Sequence, residues 1–368
     1  MHYFVELIIV LIGMFFTAIL FFRLPVLPLV KINKNDYPKV SIIIPARNEE
    51  KNLALLLKDL SLQTFPIHEI FCVDDNSEDA TGKIVLANGS KLISLNDKPE
   101  GWVGKSWACQ NGANEAKGDL LLFLDADVRF GKEGIYRLVQ TYMEEKCTIS
   151  VQPYHKTEKA YEQFSMLFNL IQFAANGVSL PKTYNIGLFG PIILISLKDY
   201  KKVGGHEKVK DKIIEDVDLG IELKKAGLTF KLFLGDKDIS YRMYSKGFQE
   251  LFQGWTKNIA SGAAKTPIPI FLLVFFWISS LIAIPLNLFK NALILNWTLL
   301  ALYSFLYIMM MLILFNLSKR FGYFQKWAII FFPIIVLELL AVFFVSTIKK
   351  VFGLKVTWKG RKIKSEAR

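Results

Sequence analysis

Apolar residues along this chain fall into two patterns, long unbroken runs and short bursts followed by helical spacing. Four runs, 3–22, 268–289, 292–317 and 327–348, are long enough to cross a hydrocarbon core of about 30 Å, which takes roughly 20 apolar residues. Three of them lie beyond residue 267. The stretch 24–266 between them has mixed globular texture and is long enough for one large core.

Within that stretch a strand-then-helix plan repeats. From Val40 the sequence VSIIIPARNEE is a β-branched run closed by proline, and Leu53, Leu56, Leu57 and Leu60 follow at the spacing of an amphipathic helix. EIFCVDDNSEDATGKIV repeats the plan, with the apolar run from Ile70 to Val73 ending at Asp74 and Asp75. LISL at 92–95 and a helix-like stretch over 106–117 come next. DLLLFLDAD is then continuously apolar, as a strand buried on both faces must be, and it also ends in acids. Such β-α units predict an α/β fold, a doubly wound and mostly parallel sheet whose ligands bind beyond the carboxyl ends of the strands. Asp74, Asp75, Asp125 and Asp127 therefore converge on one edge. Further on, Phe164, Leu167, Phe168, Ile171 and Phe173 cluster in a segment 164–180 that Pro181 stops, either a core helix or one dipping into a membrane. No repeat of fixed period and no low-complexity tract is present, and the linker 31–38 spaces the domain from its anchor.

Composition sharpens this picture. Hydrophobic residues make up 52% of the 368, too many for a wholly soluble chain. The first run is longer than a signal-peptide core, starts with Glu6 and no Lys or Arg, and is followed by Arg23, so it reads as an uncleaved anchor. Cys72, Cys109 and Cys147 have no CxxC spacing, which argues against a disulfide framework or thiolate metal site and fits a reducing compartment. The net charge of +12 is concentrated near the apolar runs, at Lys319, Arg320, Lys326 and eight basic residues in 349–368. An anionic cytosolic membrane face explains that distribution better than nucleic acid does. The organisation expected is an N-terminal membrane anchor (1–23), a catalytic α/β domain (24–266), C-terminal membrane segments (267–348) and a basic cytosolic tail (349–368). Three full crossings after a cytosolic domain would place that tail outside, so one C-terminal segment is expected not to span. Pro267, Pro269 and Pro285 point to the first, and Pro333 and Glu338 to the last.

Asp125-Ala126-Asp127 is the strongest chemical element. Alternate side chains of a strand share a face, and the small Ala126 leaves room for a ligand between the two carboxylates. Mg²⁺ or Mn²⁺ takes one or two carboxylates plus substrate phosphate oxygens, and such a cation neutralises a departing nucleoside diphosphate. Two acids in a solvated turn are the alternative. Asp74-Asp75 either orients a nucleotide at a strand end or caps the following helix. Glu215-Asp216 opens an amphipathic helix, where acids are favourable in any case, and Asp216 is the candidate base that takes a proton from an acceptor hydroxyl. Gln253 and Trp255 in QGWTKN stand just before the membrane runs. They hold the acceptor or diphosphate, with Glu215, or else form an interfacial aromatic belt beside a snorkelling lysine. The four histidines lack metal spacing, and neither GxxxxGK[ST] nor GxSxG occurs, which removes support for P-loop and hydrolase readings.

The order PARNEE, VDDNSED, GWVGKSWACQNGA, FLDADV, GGH, IEDVDLG and QGWTKN, followed by terminal hydrophobic runs, resembles the family 2 glycosyltransferases of GT-A fold over about residues 40–258. GWVGKSWACQNGA and VTWKGRKI are most similar to its carotenoid-glycosylating members. The resemblance implies that Pro45, Arg47, Glu49, Asp74 and Asp75 contact the donor nucleotide, that Asp125 and Asp127 hold metal and diphosphate, that Lys105 lies near the donor and that Asp216 is the general base. It also implies inversion by a single displacement and UDP-glucose as donor. The Q-x-x-R-W signature of processive relatives is absent, since Gly254 and Gln253 precede Trp255, and few C-terminal runs leave little room for a polysaccharide channel. The tail motif Trp358-Lys359-Gly360-Arg361 resembles that of lipid glucosyltransferases. Transfer of one hexose to a membrane lipid, a carotenoid acid, is thus expected from a multi-pass cell-membrane enzyme with a cytosolic catalytic domain. Diacylglycerol, ceramide-like lipids or polyprenyl phosphates are alternative acceptors, and a non-catalytic nucleotide-sugar-binding membrane protein is the rival class.

Overall fold

The computed structural model describes residues 2–29, 37–181, 184–354, 356–358 and 361–363. Most of the linker at 31–38 lies outside them, as do Lys359 and Gly360 of the tail motif and residues 364–368. The chain begins with α1 (His2–Phe21), β1 (Val40–Ala46), α2 (Glu50–Ser61), β2 (Glu69–Asp74), α3 (Thr81–Ala87), β3 (Lys91–Ser94), α4 (Gly104–Glu115) and β4 (Leu120–Leu124). It continues through β5 (Val128–Phe130), α5 (Gly134–Glu145), β6 (Thr148–Gln152), β7 (Tyr154–Lys156), α6 (Ser165–Ala175), β8 (Ile192–Ser196), α7 (Leu197–Lys202), α8 (Glu215–Lys225), β9 (Phe230–Leu234) and β10 (Ile239–Tyr241). It closes with α9 (Phe248–Lys265), α10 (Ile268–Leu293), α11 (Trp297–Phe321), β11 (Gly322–Tyr323), α12 (Lys326–Ile330), α13 (Phe332–Val351), β12 (Val356–Trp358) and β13 (Arg361–Ile363). Two compact units share these elements. One holds Pro25–His155, Ile186–Met243 and the β12–β13 hairpin, and the other holds residues 2–24, Lys156–Asn185 and Tyr244–Leu354.

The first unit is the α/β fold. Its main sheet has the order β3-β2-β1-β4-β8-β6-β9. Strands β3, β2, β1 and β4 are parallel, as are β6 and β9, whereas β8 runs antiparallel to both β4 and β6. The sheet is therefore mixed. β8 enters it after the chain has left for the other unit, not from a βα crossover, so no handedness rule fixes its direction. Strand order reverses between β1 and β4, which opens a crevice beyond their carboxyl ends. Apolar β4 is buried throughout, and Leu53, Leu56, Leu57 and Leu60 of α2 join it in the core. At the opposite end of the strands, buried Glu69 accepts from Ser41 Oγ (2.6 Å), the Lys117 amide (2.7 Å) and Lys91 Nζ (2.8 Å). Burial would push its carboxyl up, yet these donors outweigh that and hold it near pKa 2.

The second unit is helical. Among the described residues, four helices are long and apolar enough to cross a membrane: Phe4–Phe21, Ile268–Leu293, Trp297–Phe321 and Phe332–Val351. α1 and α10 pack so closely that a Cβ on Gly13 would lie 2.4 Å from the Phe276 carbonyl oxygen, the small-residue contact that apolar helices use in lipid. Pro269 occupies the first turn of α10 and Pro285 its interior, and the helix runs through both without a break. The segment expected over 164–180 is helical only from Ser165 to Ala175, since Gly177 adopts φ 68° and turns the chain. α9 and α13 are joined by polar bonds: Ser346 Oγ donates to the Thr256 carbonyl (2.6 Å) and accepts from the Ala260 amide (3.2 Å), and Lys350 Nζ donates to the Ala260 carbonyl (3.3 Å).

Candidate active site

At the carboxyl ends of β1 and β2 the chain makes two matched turns. Asn48 and Asn76 both take left-handed φ, 53° and 55°, a conformation asparagine tolerates better than most side chains. Arg47 Nη1 donates to the carbonyls of Asp75 (2.8 Å) and Asn76 (3.1 Å), tying one turn to the other, and the Asp75 amide donates to Ala46 O (2.9 Å). Pro45 stands opposite Val73 in the sheet register, one step before the turn. Glu49 accepts from Asn52 Nδ2 (2.7 Å) at the start of α2, and its amide donates to Thr81 Oγ1 (2.9 Å). Asp74 Oδ1 accepts from both the amide (3.0 Å) and the hydroxyl (2.5 Å) of Ser77, so it closes its own turn, while Asp75 is buried. Arg47, Glu49, Asp74 and Asp75 thus belong to one polar rim, with Pro45 next to it near the end of β1.

Asp125, Ala126 and Asp127 follow β4, but they form a turn and not a strand. The Val128 amide donates back to Asp125 O (3.2 Å), while Ala126 is buried and both acids are half-buried. The side chains are therefore presented by a bend joining β4 to β5. Tyr241 lies beneath them, its hydroxyl pushed up by burial and by the charges of Asp127 and Asp125.

Lys105 is the centre of this edge. It is the second residue of α4, and its Nζ lies 2.7 Å from Asp125 Oδ1 and 3.2 Å from Glu215 Oε1. Glu215 and Asp216 open α8, where the helix N-terminus favours acids. A Cβ on Gly190 would lie 2.6 Å from Asp216 Oδ2 and 3.3 Å from Lys105 Nζ, so the chain passes close to both groups and a side chain there would push the Asp216 carboxylate aside. Burial would lower the Lys105 ammonium, but Asp125, Glu215 and Asp216 together raise it well above the ordinary range. Burial and the neighbouring Glu215 carboxylate push Asp216 up to about 6, against the pull of Lys105.

Sequence reasoning overlooked the support behind these groups. Gln110, five residues along α4 from Lys105, accepts from Tyr200 Oη (3.1 Å) and the Glu207 amide (2.9 Å), and Tyr200 Oη meets His206 Nδ1 at 2.9 Å. Burial lowers His206 to about 4, so the ring is neutral. The GGH triplet was the available signal, since Gly204 and Gly205 take φ of 79° and 57° to bring His206 inward. α8 is seated by a second device: a Cβ on Gly220 would lie 2.5 Å from Gly187 Cα, so the helix rests directly on backbone. In front of Lys105 the Trp102 and Trp107 rings meet at 5.0 Å, with Lys210 Nζ 5.8 Å from the Trp102 ring centre.

Gln253 and Trp255 lie on α9 of the helical unit. Trp255 is buried there, stacked on Phe168 at 4.6 Å with its Nε1 donating to Ser165 Oγ (3.2 Å), which makes it a packing anchor in place of an exposed belt residue.

Among the described residues no three His, Cys, Asp or Glu side chains are arranged to hold a metal ion. The Asp125 and Asp127 carboxylates nevertheless fit a hard divalent cation, which completes its shell with water and substrate phosphate oxygens and needs no all-protein cage.

Residues 41–201 match the family model described as Glycosyl transferase family 2. A 4,4'-diaponeurosporenoate glycosyltransferase of Staphylococcus haemolyticus (strain JCSC1435) is 37% identical over 266 residues, 69% of this chain and 71% of that protein. One from Staphylococcus aureus (strain USA300) is 35% identical over 285 residues, 75% of each chain. Among solved structures, a mannosyltransferase from Pyrobaculum calidifontis in complex with GDP-Man and Mn2+ superposes with a TM-score of 0.54 at 15% identity, covering 93% of this chain and 98% of that one, a likeness of fold.

Proposed function

This chain belongs to glycosyl transferase family 2 and is a glycosyltransferase, and on that premise we propose that it transfers one glucose from UDP-glucose to a membrane-held carotenoid acid, with inversion at the anomeric carbon. The observation that carries the reading is the gathering of Lys105, Asp125, Glu215 and Asp216 around Gly190 at the ligand-binding edge of the sheet. Identity of 35–37% to 4,4'-diaponeurosporenoate glycosyltransferases supports the acceptor class.

In this reading Pro45, Arg47, Glu49, Asp74 and Asp75 line the nucleotide subsite, and Lys105 meets the diphosphate. Asp125 and Asp127 would hold Mg²⁺ or Mn²⁺, which supplies charge neutralisation to the departing diphosphate. The acceptor oxygen attacks the anomeric carbon as the bond to the diphosphate oxygen breaks. Asp216, poised near neutrality, takes the proton when the acceptor is a hydroxyl, while an acceptor carboxylate is already ionised and has none to give. Glu215 holds the Lys105 ammonium in place, Gln253 serves the acceptor side and Trp255 anchors α9. The four apolar helices support a cell-membrane location, with the α/β unit on the cytosolic side where nucleotide sugars are made.

Membranes carrying the protein, incubated with radiolabelled UDP-glucose, Mn²⁺ and a carotenoid extract, should pass label into the organic phase, and Asp127→Asn should not. Mild alkali should release that label, because a glycosyl ester is base-labile and a glycoside is not. Alkali-stable label would replace the acid with a hydroxyl acceptor, and label that never leaves UDP-glucose would overturn the reading.

A further inference from the structure

We infer that Lys105 is an internal stand-in for the metal ion, occupying the cation position beside Asp125 until a donor diphosphate draws its ammonium away, so that metal and donor bind in concert and not metal first. The inference rests on the reading of this edge as a nucleotide-sugar site.

Three observations carry it. The Lys105 ammonium lies 2.7 Å from Asp125 Oδ1, the distance of a charge-assisted hydrogen bond, so it engages a carboxylate that a divalent ion would also claim. Glu215 holds it from a second side at 3.2 Å, and Asp216, on the other side of Gly190, adds its charge at longer range, so one positive charge is set among three carboxyl groups. That surplus of negative charge attracts a further cation, while the ammonium at its centre repels one.

A diphosphate resolves the conflict. Its oxygens give the lysine an anionic partner beyond the carboxylates and at the same time supply ligands to the metal. Lys105 stands in the first turn of α4, where the helix end adds its own attraction for phosphate. The flexible lysine stem lets the charge swing without moving the backbone, a motion a planar guanidinium would make less readily. Without this lysine the unneutralised charge beside Asp125 would draw divalent ions to that carboxylate with no donor bound.

The full chain in detergent, titrated with Mn²⁺ while free Mn²⁺ is followed by electron paramagnetic resonance, tests this directly. Wild type should bind Mn²⁺ weakly alone and at least about tenfold more tightly with UDP, as expected when a nearby like charge is removed. Lys105→Met, and Lys105→Gln should the first variant fold poorly, should bind Mn²⁺ alone about tenfold more tightly than wild type, with most of the UDP enhancement lost. Adding Asp125→Asn to either variant should abolish that gain, which maps it to this carboxylate. Mn²⁺ binding that is unchanged or weaker in both lysine variants would overturn the inference and leave Lys105 as a simple diphosphate ligand. A wild-type chain that shows no UDP-dependent Mn²⁺ binding would overturn the donor reading, and the inference with it.

Discussion

Asp216 is costly to keep ionised. Its folded pKa of about 6 stands above the ordinary 3.8 because the carboxyl is partly buried beside Glu215. A raised carboxyl pKa means that the folded state holds the proton more tightly than the unfolded chain does. Stability is then lost as pH rises from about 4 through 6, and the full cost is present at neutrality. Replacing the acid by its neutral amide should remove that cost. Asp216→Asn should be more stable than wild type at pH 7.5 by about 1 to 3 kcal/mol and melt correspondingly higher, with the gap closing by pH 4 in the absence of metal and donor. Thermal melts at the two pH values measure this. The same variant should lose transfer to a hydroxyl acceptor far more than to a carboxylate. A variant no more stable than wild type at either pH would show that Asp216 carries no strain.

The elements that position these groups differ in how plainly the sequence announces them. α8 is held by the approach of Gly220 to Gly187, where neither backbone can yield to a methyl group. Gly220→Ala should therefore displace α8 and with it Glu215 and Asp216, by about an ångström, and cut transfer about a hundredfold while circular dichroism keeps the wild-type helix content. Wild-type activity in that variant would mean the contact is slack. Such a contact between segments some thirty residues apart leaves no periodic trace. β1, β2 and β4 were legible because each is a short β-branched or apolar run ending in polar residues, and the acids at their carboxyl ends follow from topology. The antiparallel course of β8 was not legible, since ILIS-type runs read alike in both directions. The bend at Asp125–Asp127 was also hidden, because the hydrogen bond that closes it depends on where β5 goes. Gln110, Tyr200 and His206 come from three separate elements, and their network exists only once the sheet has formed.

For the whole chain the open structural quantity is the number of crossings. Four helices have the length and composition to cross, and α10, despite its prolines, is one unbroken helix. α13 is different. Its carboxyl half is bonded to α9, a helix carrying Glu250, Lys257 and Lys265 that is too polar to span. It also buries Glu338 with neither carboxyl oxygen hydrogen-bonded. An α13 lying along the interface leaves the basic tail on the cytosolic side, in keeping with the preference of lysine and arginine for that face. A cysteine introduced at Ser365 should accordingly resist a membrane-impermeant maleimide in intact cells and react after permeabilisation. Labelling from outside would mean that α13 crosses. The native thiols give little background, for Cys72, Cys109 and Cys147 are all buried, and burial pushes the Cys72 thiol up to about 12.

The paired indoles of Trp102 and Trp107 have a use beyond packing. Two such chromophores 5.0 Å apart, inclined at 62°, exchange excitation and give a paired signal of opposite signs in ultraviolet circular dichroism. They flank Lys105 in the chain, Trp102 just before α4 and Trp107 within it, so any reorientation of that segment when a nucleotide arrives would change the spectrum. That ring pair is an optical probe of this segment, to be read on unlabelled protein with and without UDP before any acceptor is known.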